Sequence, residues 1–378
     1  MRILQIGKFW PPPFGGIEAH VKQLAEVLQF DHDVTVGAPA HGWVTREFTV
    51  GKIHVAESAT LAKIGAITVN PFWGSQLRAL HQRKPFDLIH MHLPNPIGQI
   101  AVDMARAGLD KVPLVLTWHS DIVKQQKLLK VYWPYLRRLT DRARSIIVPT
   151  QLHFESSTQL KALNTKNKIR VAPMGIAEPP VLSSATQEHI DRLREVYRGK
   201  HLIISTGRHV YYKGFEYLVR AAKDVDPSAV VVLIGSGPLT GELQALATEQ
   251  GVADRIKFAG SISQDELEAY MATASLFVLP SVERSEAFGL ASAEAMIRGV
   301  PVVCCELGNG VNYLNQPGKT GFTVPPRDPG ALAVAINTVL RDPDLRRQMG
   351  AQAAAWVRQE FSLERMKTDI EAVYRDAL

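Results

Sequence analysis

Short apolar runs alternate with longer amphipathic stretches along the whole chain, and this alternation constrains the fold more than any other feature. A parallel sheet covered by helices on both faces needs nearly continuous apolar strands joined by helical connections. The sequence therefore predicts a doubly wound α/β architecture that occurs twice. The predicted strands are RILQIG, HDVTVGAP, KIHVAE, DLIHMH, PLVLTWH and SIIVPT in the first half, and HLIISTGR, AVVVLIGSG, IKFAG, ASLFVLP, VPVVCC and GFTVPP in the second.

The chain length also favours two domains, because a single core stops growing near ~250 to 300 residues and this chain has 378. The periodicity lapses over residues 173–189, PMGIAEPPVLSSATQEH, whose prolines and small polar residues are typical of a linker. We place the first domain at 1–178 and the second at 179–360. A terminal segment, 361–378, follows a break in the helical pattern near Phe361 and Ser362.

The composition excludes a membrane-spanning protein: 46% of the residues are hydrophobic and 21% charged, and no run approaches the ~18 apolar residues of a span. The N-terminal stretch MRILQIGKFWPPP is typical of a first strand rather than a secretory signal, so we expect a cytoplasmic protein. Cys304 and Cys305 are adjacent and would point to opposite faces of a strand, which argues against a disulfide or a metal site there.

Ligands of open parallel sheets bind beyond the carboxyl ends of the strands, so residues directly after the apolar runs are the candidates for function. Gly15 and Gly16 follow the first strand and would allow positive φ and close approach to an anion, although an ordinary turn explains them equally well. His119 follows PLVLTW, where a lone histidine is more often structural. His90 and His92 share a strand face, but without an apparent third ligand we predict no metal site.

Two cations follow the first strand of the second half. Arg208 and Lys213 precede a predicted helix, where a guanidinium and an ammonium can clamp a diphosphate; the alternative is a solvated basic turn. The sequence contains no phosphate loop of the Gly-x4-Gly-Lys-Ser/Thr type, and IGSGP (234–238) lacks the third glycine of a dinucleotide fingerprint. ATP hydrolysis and hydride transfer therefore lose support.

Residues 281–296, SVERSEAFGLASAEAM, place one acid on each side of a glycine turn. The strand before them ends at Pro280, and helix formers predict a helix that begins at Gly289 or Leu290. Glu286 then lies in the loop, where it can accept hydrogen bonds from sugar hydroxyls, and Glu294 lies in the second helical turn, where it can accept them from a ribose. The alternatives are helix capping by Glu286 and a solvated Glu294.

In this order the motifs resemble the GT-B glycosyltransferases, in particular the retaining enzymes of glycosyltransferase family 4, over nearly the whole chain. The resemblance implies two Rossmann-like domains that face each other across an interdomain cleft, with the segment after Phe361 crossing back onto the first domain. The motifs that carry it are GGIE (15–18), HSD (119–121), PMGI (173–176), GRHVYYKGF (207–215), EAFGLASAE (286–294), GVPVV (299–303) and GKTGFTVPP (318–326).

The resemblance implies catalytic roles for four residues. His119 would approach the transferred sugar, Arg208 and Lys213 would hold the diphosphate, and Glu286 would position sugar hydroxyls rather than act as a nucleophile. Neither a metal nor another cofactor is expected. The base would be recognised by the backbone near 260–262 and the ribose by the second acid. The donor-binding residues implied are Gly15, Gly16, Gly260, Ser261, Ile262, Phe288, Gly289, Leu290 and Glu294.

The function implied is transfer of a hexose, with retention, from a nucleotide diphosphate sugar to a glycan or a polyprenyl-diphosphate-linked acceptor. SEAFG and NGVNYLN (309–315) are similar to bacterial polysaccharide mannosyl- and rhamnosyltransferases, which favours GDP-mannose or a related GDP-sugar. One alternative is a UDP-sugar donor for glucosyl, galactosyl or N-acetylhexosaminyl transfer. The other is a protein that binds a nucleotide sugar without turnover.

The basic surplus, 43 Lys+Arg against 37 Asp+Glu, has a candidate location in residues 121–144. There, basic residues alternate with apolar and aromatic ones, a pattern that can lie on an anionic inner leaflet. An ordinary helix with a solvated charged face is an equally good interpretation. We expect peripheral membrane association and no nucleic-acid partner. The basic residues of the segment are Lys124, Lys127, Lys130, Arg137 and Arg138.

Overall fold

The computed structural model describes residues 1–11, 15–64, 67–105, 108–123 and 126–378. The chain divides into two compact units: Met1–Gly175 with Leu363–Leu378 form the N-terminal unit, and Ile176–Ser362 form the C-terminal unit. The sequence-based boundaries at 178 and 360 lie within three residues of these divisions. Each unit contains one of the two parallel sheets that the sequence predicts.

The N-terminal unit contains an eight-stranded sheet and a two-stranded hairpin. Its strands are β1 (Arg2–Ile6), β2 (Asp33–Pro39), β3 (Arg46–Val50), β4 (Ile53–Ser58), β5 (Ala62–Ile64), β6 (Ile67–Val69), β7 (Leu88–Leu93), β8 (Leu114–Trp118), β9 (Ser145–Val148) and β10 (Ile169–Val171). The order in the large sheet is β10-β9-β8-β7-β1-β2-β4-β3. The sequence missed β3, which pairs antiparallel with β4 at the edge, because its residues are mostly exposed and form no apolar run.

Helices cover both faces of this sheet because alternate strand residues point in opposite directions. Ile3 belongs to an apolar cluster with Leu24, whereas Leu4 belongs to a second cluster with Leu77. This is the doubly wound arrangement that the continuous apolar strands predict. The helices are α1 (Gly16–Leu28), α2 (Trp73–Arg83), α3 (Pro96–Ala105), α4 (Gln126–Arg142), α5 (Gln151–Ser156) and α6 (Thr158–Ala162).

The C-terminal unit contains a six-stranded, fully parallel sheet in the order β13-β12-β11-β14-β15-β16. Its strands are β11 (His201–Thr206), β12 (Ala229–Ile234), β13 (Ile256–Gly260), β14 (Leu276–Leu279), β15 (Val302–Cys305) and β16 (Gly321–Val324). Its helices are α7 (Ser184–Val196), α8 (Phe215–Ala221), α9 (Thr240–Glu249), α10 (Gln264–Thr273), α11 (Leu290–Met296), α12 (Gly310–Leu314), α13 (Pro329–Arg341) and α14 (Pro343–Glu360).

The predicted linker 173–189 is too long, because α7 begins inside it. Ser183 caps this helix by accepting a hydrogen bond from the backbone N–H of Thr186. The helix buries few residues, among them Ile190, so its sequence carries little apolar periodicity. Cys304 and Cys305 are buried free cysteines in β15, and Sγ of Cys304 accepts a hydrogen bond from Asn315 Nδ2 at 3.2 Å.

The last helix, α15 (Leu363–Ala377), packs within the N-terminal unit. Its buried residues include Met366, Ile370 and Tyr374, which follow helical spacing and join the apolar cluster that contains Ile3. The terminal segment therefore completes one face of the N-terminal sheet. None of the helices in the described ranges is both long and apolar enough to cross a membrane.

Each sheet has one point where the chain changes direction, and such points place ligands in α/β proteins. In the N-terminal sheet this point lies between β1 and β7, and in the C-terminal sheet between β11 and β14. The loops at the carboxyl ends of these strands contain most of the predicted site residues.

Candidate active site

Two loops meet at the switch point of the C-terminal sheet, and glycine allows their contact. The β11 loop (207–214) contains a short 3-10 turn over Tyr211–Lys213, and the β14 loop (280–289) leads into α11. Gly214 has φ +62°, and a Cβ there would lie 2.1 Å from the carbonyl oxygen of Pro280. The backbone N–H of Val282 donates to the carbonyl of Tyr212 at 2.8 Å. The two loops therefore form one rigid rim.

Lys213 and Glu286 form an ion pair across this rim, with 2.6 Å between Nζ and Oε2. Both side chains are largely buried, and the Ser281 hydroxyl also donates to Glu286 Oε2 at 3.0 Å. Burial has the largest single effect and lowers the pKa of Lys213, but the charge and hydrogen bond of Glu286 together with Tyr212 raise it by more, so the net pKa is raised. Asn309 donates to the Glu286 carbonyl at 2.7 Å and fixes the loop from α12. Lys213 is therefore a charged ammonium that contacts the Glu286 side chain.

Arg208 lies on the β11 loop but is exposed, unlike Lys213. The two cations that the sequence predicts as a diphosphate clamp therefore differ in their surroundings. Lys213 is paired with a carboxylate, whereas Arg208 is exposed to solvent. A second loop supports the first, because a Cβ on Gly235 would lie 2.2 Å from the Gly207 carbonyl oxygen, and one on Gly237 2.4 Å from that of His209. The glycines of IGSGP thus allow backbone packing beneath Arg208.

Gly289 adopts the left-handed conformation, with φ +78°, and is the N-cap of α11, which begins at Leu290 as predicted. The left-handed conformation favours glycine here, and an added Cβ would lie 2.9 Å from Leu279 Cδ2, so the Leu279 side chain would have to shift. Phe288 is buried and packs edge-on against Phe361, with 5.3 Å between ring centroids. Only the backbone of Phe288 is therefore available to a ligand.

Glu294 lies in the second turn of α11, and its side chain is exposed. Although the side chain is exposed, desolvation by the surrounding protein raises the pKa of the Glu294 carboxyl group. The positive charge of Arg298 partly offsets this increase. Arg298 itself pairs with buried Glu268, with 2.9 Å between Nε and Oε2, and donates to the Glu294 carbonyl. Glu294 is therefore an acceptor whose neighbouring arginine is already engaged.

The stretch predicted to face the base lies at the end of β13. Gly260 has φ +67°, and its carbonyl accepts a hydrogen bond from Gly235 at 2.8 Å. Ser261 is exposed and Ile262 is half-buried. Gly260 therefore ties the β13 end to the glycine loop that supports the β11 loop.

In the N-terminal unit neither predicted glycine adopts the positive φ that glycine allows. Gly15 is extended, with φ −130°, and Gly16 is the first residue of α1. An added Cβ at position 15 would lie 2.4 Å from Oε2 of Glu18, whose flexible side chain folds back over the glycine. The Glu18 carboxylate therefore contacts the loop that precedes α1.

Three buried histidines converge at the switch point of the N-terminal sheet. His20 lies on α1, His92 on β7 and His119 directly after β8, and one ring nitrogen of each lies within 4.8 Å of the others. The structure thus brings His20 and His119 to His92, a grouping that the spacing of the strand histidines does not reveal. His90 is not part of this group, because its nitrogens contact Tyr374 at 2.7 Å and the Thr117 hydroxyl at 2.6 Å.

Asp121, the last residue of HSD, holds the loop that follows His119. Its carboxylate accepts hydrogen bonds from the Trp118 indole at 3.0 Å, the Ser157 hydroxyl at 2.6 Å and the Thr158 backbone at 3.1 Å. It therefore caps α6 and positions the loop rather than contacting a ligand.

α4 has one buried and one exposed face. Leu129, Leu136 and Leu139 are buried, whereas the opposite face combines exposed apolar residues with cations. Lys124 of the predicted basic segment lies outside the described residues. The exposed residues are Lys127, Leu128, Lys130, Val131, Tyr135, Arg137 and Arg138.

Comparison with known proteins decides the family. Residues 14–178 match the family model described as Glycosyltransferase Family 4, and residues 187–356 match Glycosyl transferases group 1. The D-rhamnosyltransferase WbpZ of Pseudomonas aeruginosa is 31% identical over 96% of this chain and 92% of that protein. This chain is a family 4 glycosyltransferase. The O-antigen chain mannosyltransferase C of Escherichia coli is 28% identical to this glycosyltransferase over 97% of this chain and 96% of the relative.

A solved structure shares the fold of this glycosyltransferase over its full length. HepE of Anabaena, in complex with UDP-glucose, has a TM-score of 0.78 and 21% identity, covering 99% of each chain. The predicted GT-B fold and the predicted enzyme class are confirmed, and the non-enzymatic alternative is set aside. Sequence reasoning missed His20, Asp121 and Asn309, although GGIE, HSD and NGVNYLN each draw attention to the neighbourhood of one of them.

Proposed function

We propose that this glycosyltransferase moves a hexose from GDP-mannose or a related GDP-sugar to a glycan or lipid-linked acceptor in the assembly of a bacterial cell-surface polysaccharide. Full-length similarity to a protein named as a D-rhamnosyltransferase and to one named as an O-antigen mannosyltransferase supports this choice. The structural neighbour with bound UDP-glucose favours a UDP-sugar as the second candidate.

The ion pair between Lys213 and Glu286 is the observation that carries the proposal. A buried pair of opposite charges at a strand-loop rim supplies a cation for a diphosphate and a carboxylate for sugar hydroxyls side by side. Without a ligand each charge neutralises the other, which avoids an unpaired buried charge. A bound nucleotide sugar would offer both groups new partners at once.

The chemistry follows from this arrangement. Lys213 and exposed Arg208 would stabilise the charge that develops on the leaving diphosphate, an electrostatic role that needs no metal. The leaving group would take the acceptor's proton on the same face of the sugar, which gives retention. Glu286 would hold sugar hydroxyls, and the backbone from Phe288 to Leu290 would face the sugar and phosphate.

The remaining roles are those that the family resemblance implies. Glu294 would accept hydrogen bonds from the ribose, and the backbone of 260–262 would contact the base. In the N-terminal unit, His119 would contact the transferred sugar, and Gly15 and Gly16 would leave room for it. The acceptor would be brought to the enzyme at an anionic membrane surface, because α4 presents cations and apolar side chains on one exposed face.

A thermal-shift screen with GDP, UDP, ADP and their mannose and glucose derivatives tests the donor site. We expect GDP and GDP-mannose to raise the melting temperature most, and the shift to fall in the Arg208→Ala protein. The control is Arg198→Ala, because Arg198 is also exposed but precedes β11, at the opposite end of the strand. A preference for UDP would select the second candidate, and an undiminished shift in Arg208→Ala would remove the diphosphate assignment.

A further inference from the structure

The three histidines at the N-terminal switch point form a network that the transfer mechanism leaves unexplained. His20, His92 and His119 are each no more than 4% exposed. Nδ1 of His92 lies 3.1 Å from Nε2 of His119, so the two rings share a hydrogen bond. The His20 ring is edge-on to both, with centroid distances of 5.5 and 5.1 Å.

All three rings are neutral near pH 7. Burial lowers the pKa of His20 to about 4 and the pKa of His92 and His119 well below the ordinary value. Neighbouring histidines lower the pKa of His92 and His119 further, and Lys8 adds to this effect at His119. A neutral imidazole has one N–H donor and one acceptor nitrogen. The hydrogen bond between His92 and His119 therefore couples their tautomers: whichever nitrogen donates, the proton on His119 is confined to one side of its ring.

The second nitrogen of each ring has no partner among the described residues. This holds for Nδ1 of His119, Nε2 of His92 and both nitrogens of His20. Unpartnered polar atoms are rare in protein interiors and often mark a place for a ligand or water. Nδ1 of His119 is therefore a buried nitrogen whose hydrogen-bonding capacity is unused among the described residues, while Nε2 is held by His92.

We propose that His92 is a positioning residue for the transfer: its hydrogen bond fixes the ring orientation of His119 and determines whether Nδ1 of His119 donates to or accepts from the transferred sugar. This inference rests on the proposed contact between His119 and that sugar. His92 itself is fully buried and acts only through its neighbour.

A metal ion held by the three histidines is a weaker explanation. Ligating histidines usually donate their outer N–H to an oxygen, whereas no such oxygen is paired with the outer nitrogens in the described residues. The group also contains no carboxylate, and Lys8 contributes positive charge to the surroundings of His119. The hydrogen bond between two of the rings accounts for their closeness without an ion.

Two variants of nearly equal size separate hydrogen bonding from packing. His92→Asn keeps a hydrogen-bonding atom where Nδ1 lies, and His92→Leu places a methyl group there. We expect kcat for GDP consumption, with GDP-mannose or the sugar nucleotide selected by the thermal-shift screen, to fall by roughly 10- to 100-fold in His92→Leu. In His92→Asn the loss should stay within about fivefold, and KM should change little in either protein.

The matched control is His90→Asn. His90 is buried two residues earlier on the same strand, but its nitrogens are occupied by Tyr374 and Thr117. This variant should lose thermal stability while kcat stays within about twofold of the parent at a temperature where both are folded.

The double variant His92→Leu/His119→Ala distinguishes the inference from the proposed function. If His92 acts through His119, the leucine should cost no further kcat once His119 is absent. Three results would overturn the inference and leave the proposed function intact. The leucine could lower kcat as much in the His119→Ala background as in the parent, the kcat of His92→Leu could equal that of the parent, or the purified parent could contain stoichiometric zinc. Full turnover in His119→Ala would instead overturn the sugar contact assigned to His119, and the inference with it.

Discussion

Lys213 and Glu286 neutralise each other across two loops that belong to neighbouring strands, with 2.6 Å between Nζ and Oε2. The side chains are 14% and 11% exposed, so each charge depends on the other for its stability in the interior. This dependence links the stability of the C-terminal unit to the residues proposed to bind the donor.

Replacing one residue of this ion pair should therefore destabilise the protein more than replacing both. Lys213→Met leaves a buried carboxylate without a counter-charge, and we expect a loss of roughly 3 to 5 kcal/mol in the free energy of unfolding. Lys213→Met/Glu286→Gln should recover at least half of that loss. Urea unfolding followed by circular dichroism measures both values, and additive losses in the double variant would show that the two charges do not depend on each other.

Replacement of Gly289 by alanine should destabilise the protein, whereas replacement of a glycine inside a helix should not. Gly289→Ala forces a positive φ on alanine and brings its Cβ to 2.9 Å from Leu279, so we expect a loss of roughly 1 to 3 kcal/mol. Gly241 lies in α9 with nothing within 4 Å of an added Cβ, and Gly241→Ala should stabilise by about 0.5 to 1 kcal/mol. Equal melting temperatures for the two variants would remove the requirement for a left-handed turn at the start of α11.

Acid should destabilise the protein through its buried histidines. Burial lowers the pKa of His20 to about 4 and of His90 to about 3. Below pH 6.5 the unfolded chain binds protons that the folded chain does not, so stability is complete above pH 6.5 and is lost as the pH falls towards these values. His20 alone should contribute a loss of about 2 kcal/mol between pH 7.5 and pH 5.

The variant His20→Leu tests this pH dependence. It should reduce the stability difference between pH 7.5 and pH 5 by about 2 kcal/mol in urea unfolding, relative to the parent protein measured under the same conditions. If the His20→Leu protein kept the full difference between the two pH values, the lowered pKa of His20 would be wrong.

The exposed face of α4 should bind anionic vesicles. We expect the protein to sediment with phosphatidylglycerol vesicles and not with phosphatidylcholine vesicles, and Lys127→Glu/Lys130→Glu to weaken that binding at least about tenfold, since each cation near the surface contributes about 1 kcal/mol. Lys111→Glu/Lys161→Glu changes the charge equally at exposed positions outside α4 and should have a smaller effect. Equal weakening by both pairs would leave only the net charge as the cause.

The sequence predicts much of the fold because parallel strands are buried on both faces and read as apolar runs. The same reasoning locates Glu286, Arg208 and Lys213, since residues that directly follow such runs share one edge of the sheet. It also predicts the start of α11, because Gly289 stands between a loop and a series of helix formers. This reasoning does not predict the exposed edge strand β3 or the start of α7, because neither has a continuous apolar pattern.

The sequence cannot predict contacts between residues that only the tertiary fold brings together. His20 is 72 positions from His92 and lies on a helix, so no local spacing connects them. The pairing of Lys213 with Glu286 depends on β14 lying beside β11, which the order of strands along the chain does not reveal. The sequence also cannot predict the conformation of Gly15, because glycine before a helix can be extended or left-handed, and here it is extended with the Glu18 side chain folded over it.

The most direct test of the proposed donor site compares the turnover of two glutamate variants from the same loop. Glu286→Gln removes the buried charge, whereas Glu283→Gln removes a surface charge that pairs with Arg327. With GDP-mannose as donor and a polyprenyl-diphosphate-linked glycan as acceptor, formation of the glycosylated product and release of GDP are followed together. We predict a rate at least about 100-fold below the parent for Glu286→Gln and within about twofold for Glu283→Gln. Equal rates in the parent and in Glu286→Gln would contradict the account.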